Sequence, residues 1–356
     1  MGLGTSLTRM LGIQLPIIQA PMAGGATTAA LVAEVSNAGA LGALAASALS
    51  PEQLLAAVGR IRRKTDAPFA VNLFIQSTPS PSLDEIETAW ARLAPVHEEL
   101  EISPELPDTW CQPFDEQFEA LLEARPAVAS FTFGILDGLQ VSRLHDAGIL
   151  IMGNATQLEE AEAWAQLGAD VIVAQGAQAG GHRGTFIGRQ DEALVDTAEL
   201  VESCVESLDV PVVAAGGIMD GYDIAVQLGQ GAQAVQMGTA FLATPESGIV
   251  DAWKQALVDA DGETRLTRAF SGRLARGLPN RAMRLLGRFE EKVPAYPVQN
   301  ALTQPFRSVA AKREDADYLS LWAGKGVARI RQLAAEELIA VLAAELEAAK
   351  QAQALD

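Results

Sequence analysis

Residues 149–176 read ILIMGNATQLEEAEAWAQLGADVIVAQG and contain a complete strand-helix-strand pattern. The apolar runs ILIMGN (149–154) and DVIVAQG (170–176) are typical of buried strands, and each closes on an asparagine or glycine. Between them, QLEEAEAWAQL (157–167) has the 3.6-residue periodicity of an amphipathic helix and is followed by a glycine. Two such strands joined by one helix predict a parallel β-α-β unit.

The same alternation recurs along the whole chain. Short runs rich in Val, Ile, Leu and Phe are each followed by a turn signal and then by a helical pattern. Besides the two runs above, they are PIIQAP (16–21), ALGAL (40–44), FAVNLF (69–74), VASFTFG (128–134), VPVVAAGG (210–217) and AVQMGT (234–239). Eight units in one chain predict an α/β fold of the (β/α)8 TIM-barrel type rather than an open doubly wound sheet, which commonly needs fewer strands.

Two departures from this alternation divide the chain. The proline-rich residues 75–127 separate the third and fourth runs and predict an insertion. After the eighth run, residues 246–310 predict a helical segment whose arginines form a solvated face, with one or two of them turned to an anionic ligand. We therefore expect a barrel over 1–245 that includes the insertion, a smaller helical substrate-side domain over 246–310, and C-terminal helices over 311–356 that pack on the barrel.

Composition excludes several classes of partner. The formal net charge of -19 argues against nucleic acid and anionic membrane surfaces, because both favour clustered Lys and Arg. No stretch offers about 20 consecutive membrane-grade residues, and no signal-type apolar run is present, so we expect a cytoplasmic protein. Cys111 and Cys204 match no metal-ligand spacing, which predicts free thiols and no metal site.

Glycines and amides gather where the predicted strands end, which is where barrels form their sites. Glycines after the seventh and eighth strands leave backbone N–H groups open to a phosphate, so the pattern predicts a phosphorylated cofactor. The residues at these strand ends are Pro21 and Met22 (first), Asn72 (third), Gln175 (sixth), Gly216 and Gly217 (seventh), and Gln236, Met237, Gly238 and Thr239 (eighth).

His182 is the group best suited to move a proton at this site. It lies in AQGAQAGGHRGTF (174–186), which directly follows the sixth strand, although a loop histidine bonded to a backbone carbonyl is the structural alternative. We expect His97 and His145 to be solvent-facing or capping residues. The chain has no HExxH, Walker loop, GxSxG elbow or glycosidase-type carboxylate pair, which removes several hydrolase classes.

As a set, these residues resemble the class I nitronate monooxygenases, formerly called 2-nitropropane dioxygenases. The GGH triplet is shared with flavin-dependent enoyl thioester reductases, whereas HRGTF and the YP and WAG segments favour the nitronate enzymes. The matching segments are QAPMAGG (19–25), VNLF (71–74), SFTFG (130–134), GNAT (153–156), AQGAQAGGHRGTF (174–186), AAGGIMDG (214–221), VQMGTAFL (235–242), YPVQNALT (296–303) and LWAGKGV (321–327).

The resemblance implies that residues 1–245 form an FMN-binding barrel. It implies oxidation of alkyl nitronates, such as propionate 3-nitronate, with O₂ to a carbonyl compound and nitrite. His182 becomes the catalytic base and Tyr296 a residue of the substrate pocket, in a monomer or homodimer. The residues placed around FMN are Pro21, Met22, Asn72, Gln175, Gly180, Gly217, Gln236, Met237, Gly238 and Thr239.

Two other functions share these features. An NAD(P)H-dependent FMN reductase of enoyl thioesters or quinones has the same barrel and glycines, and it does not need a separate GxGxxG unit if its pocket is open. A non-catalytic flavin-binding or storage protein also holds FMN, but it gives no reason for a histidine in the glycine-rich segment.

Overall fold

Eight parallel strands form a barrel at the centre of the structure, a computed structural model that describes residues 2–353. Met1 and residues 354–356, at the ends of the expected domains 1–245 and 311–356, lie outside the described residues. The strands are β1 Ile17–Gln19, β2 Gly42–Ala45, β3 Phe69–Phe74, β4 Val128–Thr132, β5 Leu150–Ala155, β6 Val171–Gln175, β7 Gly181–His182, β8 Val212–Ala215, β9 Ala234–Met237, β10 Arg265–Thr267 and β11 Ala275–Gly277, of which β7, β10 and β11 lie outside the barrel.

Hydrogen bonds close the barrel between its first and second strands. The strand order is β1-β9-β8-β6-β5-β4-β3-β2, and a parallel bridge joins Ile18 to Leu41, just before β2. Leu41 donates its N–H to the carbonyl of Ile17 at 3.0 Å, and Gln19 donates its N–H to the carbonyl of Leu41 at 2.9 Å. The prediction of a (β/α)8 barrel with these eight strands is confirmed.

Helices cover the outside of the barrel, and small or branched side chains fill its inside. Alternate strand residues, including Ile18, Ala70, Met152 and Val213, form the interior cluster together with Leu7 of the first helix. The helices are α1 Ser6–Leu11, α2 Ala29–Asn37, α3 Pro51–Arg62, α4 Leu83–Ala91, α5 Ala94–Glu99, α6 Phe114–Ala124, α7 Gly138–Asp146, α8 Leu158–Leu167, α9 Thr197–Ser207, α10 Gly221–Gly229, α11 Thr239–Leu242, α12 Asp251–Val258, α13 Arg281–Gly287, α14 Val298–Lys312 and α15 Ala335–Gln353.

A second hydrophobic core lies beside the barrel and changes the expected domain division. Helices α4 and α5 of the insertion contribute Ile86 and Val96, respectively, to the same cluster as Phe306 of α14. Tyr318 and Leu321 also belong to this cluster, so the packing does not change at residue 311. Helix α15, the last part of the segment 311–356, packs on the barrel helices α2 and α10.

The segment 246–310 contains helices, as expected, but it is not helical throughout. Strands β10 and β11 lie within it, and they form a three-stranded antiparallel sheet with β7. Each of these two strands has only three residues, too few for the alternation by which a strand is recognised in a sequence. This small sheet carries His182, because β7 is the pair Gly181–His182.

Within residues 2–353, no helix has both the length and the apolar character needed to cross a membrane. The same residues contain no group of three His, Cys, Asp or Glu side chains placed to hold a metal ion.

Candidate active site

A cavity of about 890 Å³ opens at the C-terminal ends of the barrel strands. Its walls come from the strand ends, from the segment around His182, and from α14. All of the residues that the sequence singled out for the site line this one cavity: Pro21, Met22, Asn72, Gln175, Gly180, His182, Gly217, Gln236, Met237, Gly238, Thr239 and Tyr296.

The cavity carries positive charge in an acidic chain. The charged side chains that line it are Arg60 and Arg307, and among the described residues no Asp or Glu lines it. The chain as a whole has 45 acidic and 26 basic residues, so the absence of a carboxylate from so large a surface is a marked local departure. Such a site favours anionic ligands, because an enclosed cation attracts an anion with little screening by water.

The small sheet and one serine hold the ring of His182. His182 pairs with Ala275 of β11, and its Nε2 lies 2.9 Å from Oγ of Ser271. The Ser271 hydroxyl donates its own proton to the carbonyl of Arg273 at 3.0 Å, so it accepts from Nε2. The neutral ring therefore carries its proton on Nε2, and Nδ1 is left as the proton acceptor.

His182 is uncharged at physiological pH. Burial, together with the smaller effect of the positive charges of Arg273 and Arg307, lowers its pKa from 6.5 to about 3. A neutral imidazole with a free Nδ1 is the form that accepts a proton.

Aromatic rings surround His182 on the cavity side. The ring centroids of Phe133, Tyr296 and Trp322 lie 5.8, 5.7 and 5.3 Å from that of His182. Burial raises the pKa of the Tyr296 phenol, so this hydroxyl stays protonated. Phe133 has a φ of 78°, a left-handed conformation that is rare for a residue of this size and that marks a constrained position.

Arg273 packs against the side of Phe133 and holds the backbone that follows His182. Its guanidinium lies over the Phe133 ring, with its carbon 4.0 Å from the ring centroid. It donates to the carbonyl of Arg183 at 2.9 Å and also to the carbonyl of Thr185. Arg276 is likewise buried and donates to the carbonyl of Ala177 at 3.0 Å. These two arginines are exceptions to the solvated face expected over 246–310.

Gln175 and Arg183 connect the end of β6 to the His182 segment. Gln175 donates from Nε2 to the carbonyl of His182 at 2.9 Å and accepts at Oε1 from the N–H of Gly184 at 2.8 Å. The buried Arg183 guanidinium donates to three backbone carbonyls, including that of Gly176 at 2.6 Å. Both side chains therefore hold the backbone on which His182 stands.

Gly180, two residues before His182, allows a close contact between two backbone segments. A Cβ on Gly180 would lie 2.5 Å from the carbonyl carbon of Ala323 and from the nitrogen of Gly324. The N–H of Gly324 in turn donates to Oγ1 of Thr239 at 2.9 Å. The segment 321–327 thus joins the end of β6 to the end of β9 across the cavity.

The other two histidines lie elsewhere. His145 is exposed and lies 3.0 Å from a carboxylate oxygen of Asp170. His97 is half-buried against Trp90, with ring centroids 5.0 Å apart, and burial lowers its pKa. The prediction of a solvent-facing or capping residue is therefore confirmed for His145, whereas His97, in the last turn of α5, is half-buried because its insertion helix packs into the second core.

Ser271, Phe133 and Arg307 are among the site residues that the sequence reasoning missed. Ser271 and Phe133 carry no local signal, because their roles depend on contacts with His182. Arg307 does have one: Asn300, Gln304 and Arg307 recur at helical spacing on α14 and all line the cavity.

The fold and this cavity define a (β/α)8-barrel enzyme with its site at the C-terminal ends of the strands. The model of the nitronate monooxygenase family matches residues 5–345. The chain therefore belongs to the nitronate monooxygenase family, whose members are flavin-dependent oxidoreductases.

Relatives and solved structures agree with this assignment. The chain is 40% identical over 322 residues to a probable nitronate monooxygenase of Staphylococcus aureus (strain Newman), covering 90% of each chain. A crystal structure of nitroalkane oxidase from Streptomyces ansochromogenes superposes with a TM-score of 0.90 at 43% identity, covering 98% of this chain and 99% of that one. FabK from Thermotoga maritima superposes with a TM-score of 0.76 at 28% identity, covering 99% of both chains.

Proposed function

We propose that this protein uses FMN to oxidise alkyl nitronates of the propionate 3-nitronate type with O₂, giving a carbonyl compound and nitrite. One observation carries the proposal: a cavity without carboxylates holds a neutral histidine whose Nδ1 is free to accept a proton. Family membership and the nitroalkane oxidase neighbour support the same class of substrate.

The residues present fit FMN as the flavin. Oδ1 of Asn72 and Nδ2 of Asn154 are buried without hydrogen-bond partners, and both residues line the cavity. One acceptor and one donor can therefore bind a polar ligand there. Gly216 and Gly217 adopt φ values of 129° and 77°, and Gly217 brings its backbone to the cavity wall. With no carboxylate nearby, these strand ends suit a phosphate. When bound, FMN supplies the redox centre that accepts electrons from the substrate.

His182 has a defined task in this reaction. A neutral nitroalkane must lose the proton on the carbon next to its nitro group, and Nδ1 accepts that proton while Nε2 stays bonded to Ser271. A preformed nitronate has already lost it and bypasses this step. The surrounding rings of Phe133, Tyr296 and Trp322 exclude water and hold the alkyl part of the substrate.

The overall reaction balances without an added reductant. Two nitronate anions and one O₂ give two carbonyl compounds and two nitrite anions. The α-carbon is oxidised, its bond to nitrogen breaks, and O₂ is reduced.

A visible spectrum and a nitrite assay test this function. The purified protein should show flavin absorption, release FMN on denaturation, and produce nitrite from propionate 3-nitronate under air. A protein that binds FMN but releases no nitrite would contradict the proposal and favour a non-catalytic flavin-binding or storage protein.

The FabK neighbour favours a second candidate, an NAD(P)H-dependent FMN reductase of enoyl thioesters or quinones. Anaerobic mixing separates the two functions. Rapid bleaching of the flavin by NADH or NADPH supports the reductase, whereas bleaching by nitronate alone supports the monooxygenase.

A further inference from the structure

Arg307 is a partly buried cation on the cavity wall, and among the described residues it has no carboxylate partner. It lies on α14, on the same face as Asn300 and Gln304, and this face forms one side of the cavity. No ion pair joins it to any Asp or Glu of the described residues. A charge that is removed from water and left unpaired raises the free energy of the folded protein, and an anionic ligand would offset this cost.

The hydrogen bonds of Arg307 leave much of its donor capacity unused. Nη2 donates to the backbone carbonyl and to Oδ1 of Asn300, at 2.7 and 3.0 Å. Nη1 has a single contact of 3.5 Å, with Oγ of Ser320, and Nε has no partner. A guanidinium has five N–H donors, arranged so that two of them can bind a carboxylate in parallel.

Three other arginines near the site likewise form no ion pair with a described residue, but their guanidinium groups are directed differently. The side chains of Arg183, Arg273 and Arg276 are bonded to backbone carbonyls, and none of the three lines the cavity. They serve the protein's own backbone, whereas Arg307 presents its charge to the ligand space. Burial lowers its pKa to about 10, so it remains protonated at physiological pH.

Arg307 is also distinct from the proton-transfer group. The ring of His182 is enclosed by Phe133, Tyr296 and Trp322, so the histidine side of the cavity is aromatic. The α14 side is polar, and Arg307 is its charged member. A ligand that fills both sides has a reactive head, an apolar middle and an anionic end.

We propose that Arg307 binds a carboxylate at the far end of the substrate and so selects nitronates that carry a second anionic group. This inference rests on the proposed function and adds to it a residue that determines specificity. Arg307 binds the end of the substrate that does not react, while His182 acts at the carbon next to the nitro group.

Two substrates of equal chain length test the assignment in the holoenzyme. Propionate 3-nitronate carries the carboxylate and propyl 1-nitronate lacks it. In Arg307→Met we expect kcat/KM for propionate 3-nitronate to fall roughly thirtyfold or more, with propyl 1-nitronate changed by less than about threefold. Arg307→Lys should retain part of the preference. Arg265→Met, which removes an exposed arginine, is the matched control and should change neither value.

A binding measurement separates this proposal from the function itself. Propionate is an unreactive carboxylate, and it should raise the melting temperature of the unmodified holoprotein and of Arg265→Met, but not that of Arg307→Met. If propionate raises the melting temperature only when Arg307 is present but no nitronate is oxidised, the proposed function is wrong and the carboxylate site is supported. Equal loss of kcat/KM on both nitronates, unchanged selectivity, or a propionate effect that does not depend on Arg307 would overturn the proposal.

Discussion

The imidazole of His182 depends on contacts that come from distant parts of the chain. Its Nε2 is bonded to Ser271, 89 residues away, and its low pKa results from burial and from the charges of Arg273 and Arg307. These contacts keep the ring neutral and leave one nitrogen free. Predictions at this scale concern the proton that Nδ1 accepts.

Replacing the histidine should separate the two kinds of substrate. In His182→Asn we expect bound FMN to be retained and kcat/KM for a neutral nitroalkane to fall roughly a hundredfold or more, because the base is lost. The effect on a preformed nitronate should be much smaller, since that substrate needs no proton transfer. Steady-state nitrite release with both substrates measures the difference. Equal losses on the two substrates would remove His182 from the proton-transfer step.

Ser271 should act by holding the His182 tautomer. In Ser271→Ala we expect kcat/KM for a neutral nitroalkane to fall about tenfold, because the ring loses the acceptor that keeps its proton on Nε2. Ser271→Thr keeps the hydroxyl and should restore most of the activity. The ¹⁵N chemical shifts of His182, recorded in a protein whose other two histidines are replaced, report the tautomer directly. An unchanged tautomer in Ser271→Ala would contradict this role.

The pH dependence of nitroalkane turnover should reflect the lowered pKa of His182. Because this pKa is about 3 rather than 6.5, the neutral base persists as the pH falls through 6.5, and protonation removes it only at much lower pH. The acid limb of kcat/KM should therefore lie well below pH 6.5, at a pH where circular dichroism still shows folded protein. An acid limb at or above pH 6.5 would show that His182 has an ordinary pKa.

At the scale of elements, the position of His182 is set by short segments packed against one another. Strand β7 pairs with β11, and the segment 321–327 closes over the end of β6. Gly180 makes a close contact with the backbone of Ala323 and Gly324 in this arrangement.

A methyl group at residue 180 should disturb this contact. In Gly180→Ala the new Cβ would lie 2.5 Å from two backbone atoms, neither of which can move without shifting the segment. We expect a lower melting temperature and weaker retention of FMN, at a cost of about 1–3 kcal/mol. Gly229→Ala, at the end of α10 with open space around it, is the control and should be neutral or slightly stabilising. Equal melting temperatures for the two variants would show that the segment 321–327 shifts at little cost in free energy.

At the scale of the whole molecule, the chain carries a negative net charge, whereas its cavity is positively charged. With a net charge of -19, the excess acidic side chains repel one another in the folded state. Arg60 and Arg307 instead concentrate positive charge where the ligand binds. Salt screens exposed charges more strongly than enclosed ones.

Moderate salt should therefore stabilise the fold. Between about 0.01 and 0.15 M KCl, where the screening length falls from about 30 to 8 Å, we expect the melting temperature to rise by a few degrees. The measurement is thermal unfolding followed by circular dichroism at constant FMN. A melting temperature that falls with salt would mean that specific ion pairs outweigh the general repulsion.

The barrel and the residues at its strand ends could be predicted from the sequence, because strand and helix periods are local and every strand of a closed parallel barrel ends on the same face. For this reason Asn72, His182 and Gln236 could be assigned to one site, although they are far apart in the chain, whereas Tyr296 was assigned only through the family resemblance. The hydrogen bonds of Gln175 to the His182 segment could not be read in this way.

Only the tertiary structure decided how that site works. It placed Ser271 against Nε2 of His182, turned Arg307 into the cavity, and joined the insertion to the segment after the barrel in a second core. Strands β10 and β11 are too short to carry a period of their own, and they form because they pair with each other and β11 pairs with β7. Such contacts join residues distant in sequence, and their energies depend on burial and geometry that exist only once the chain has folded.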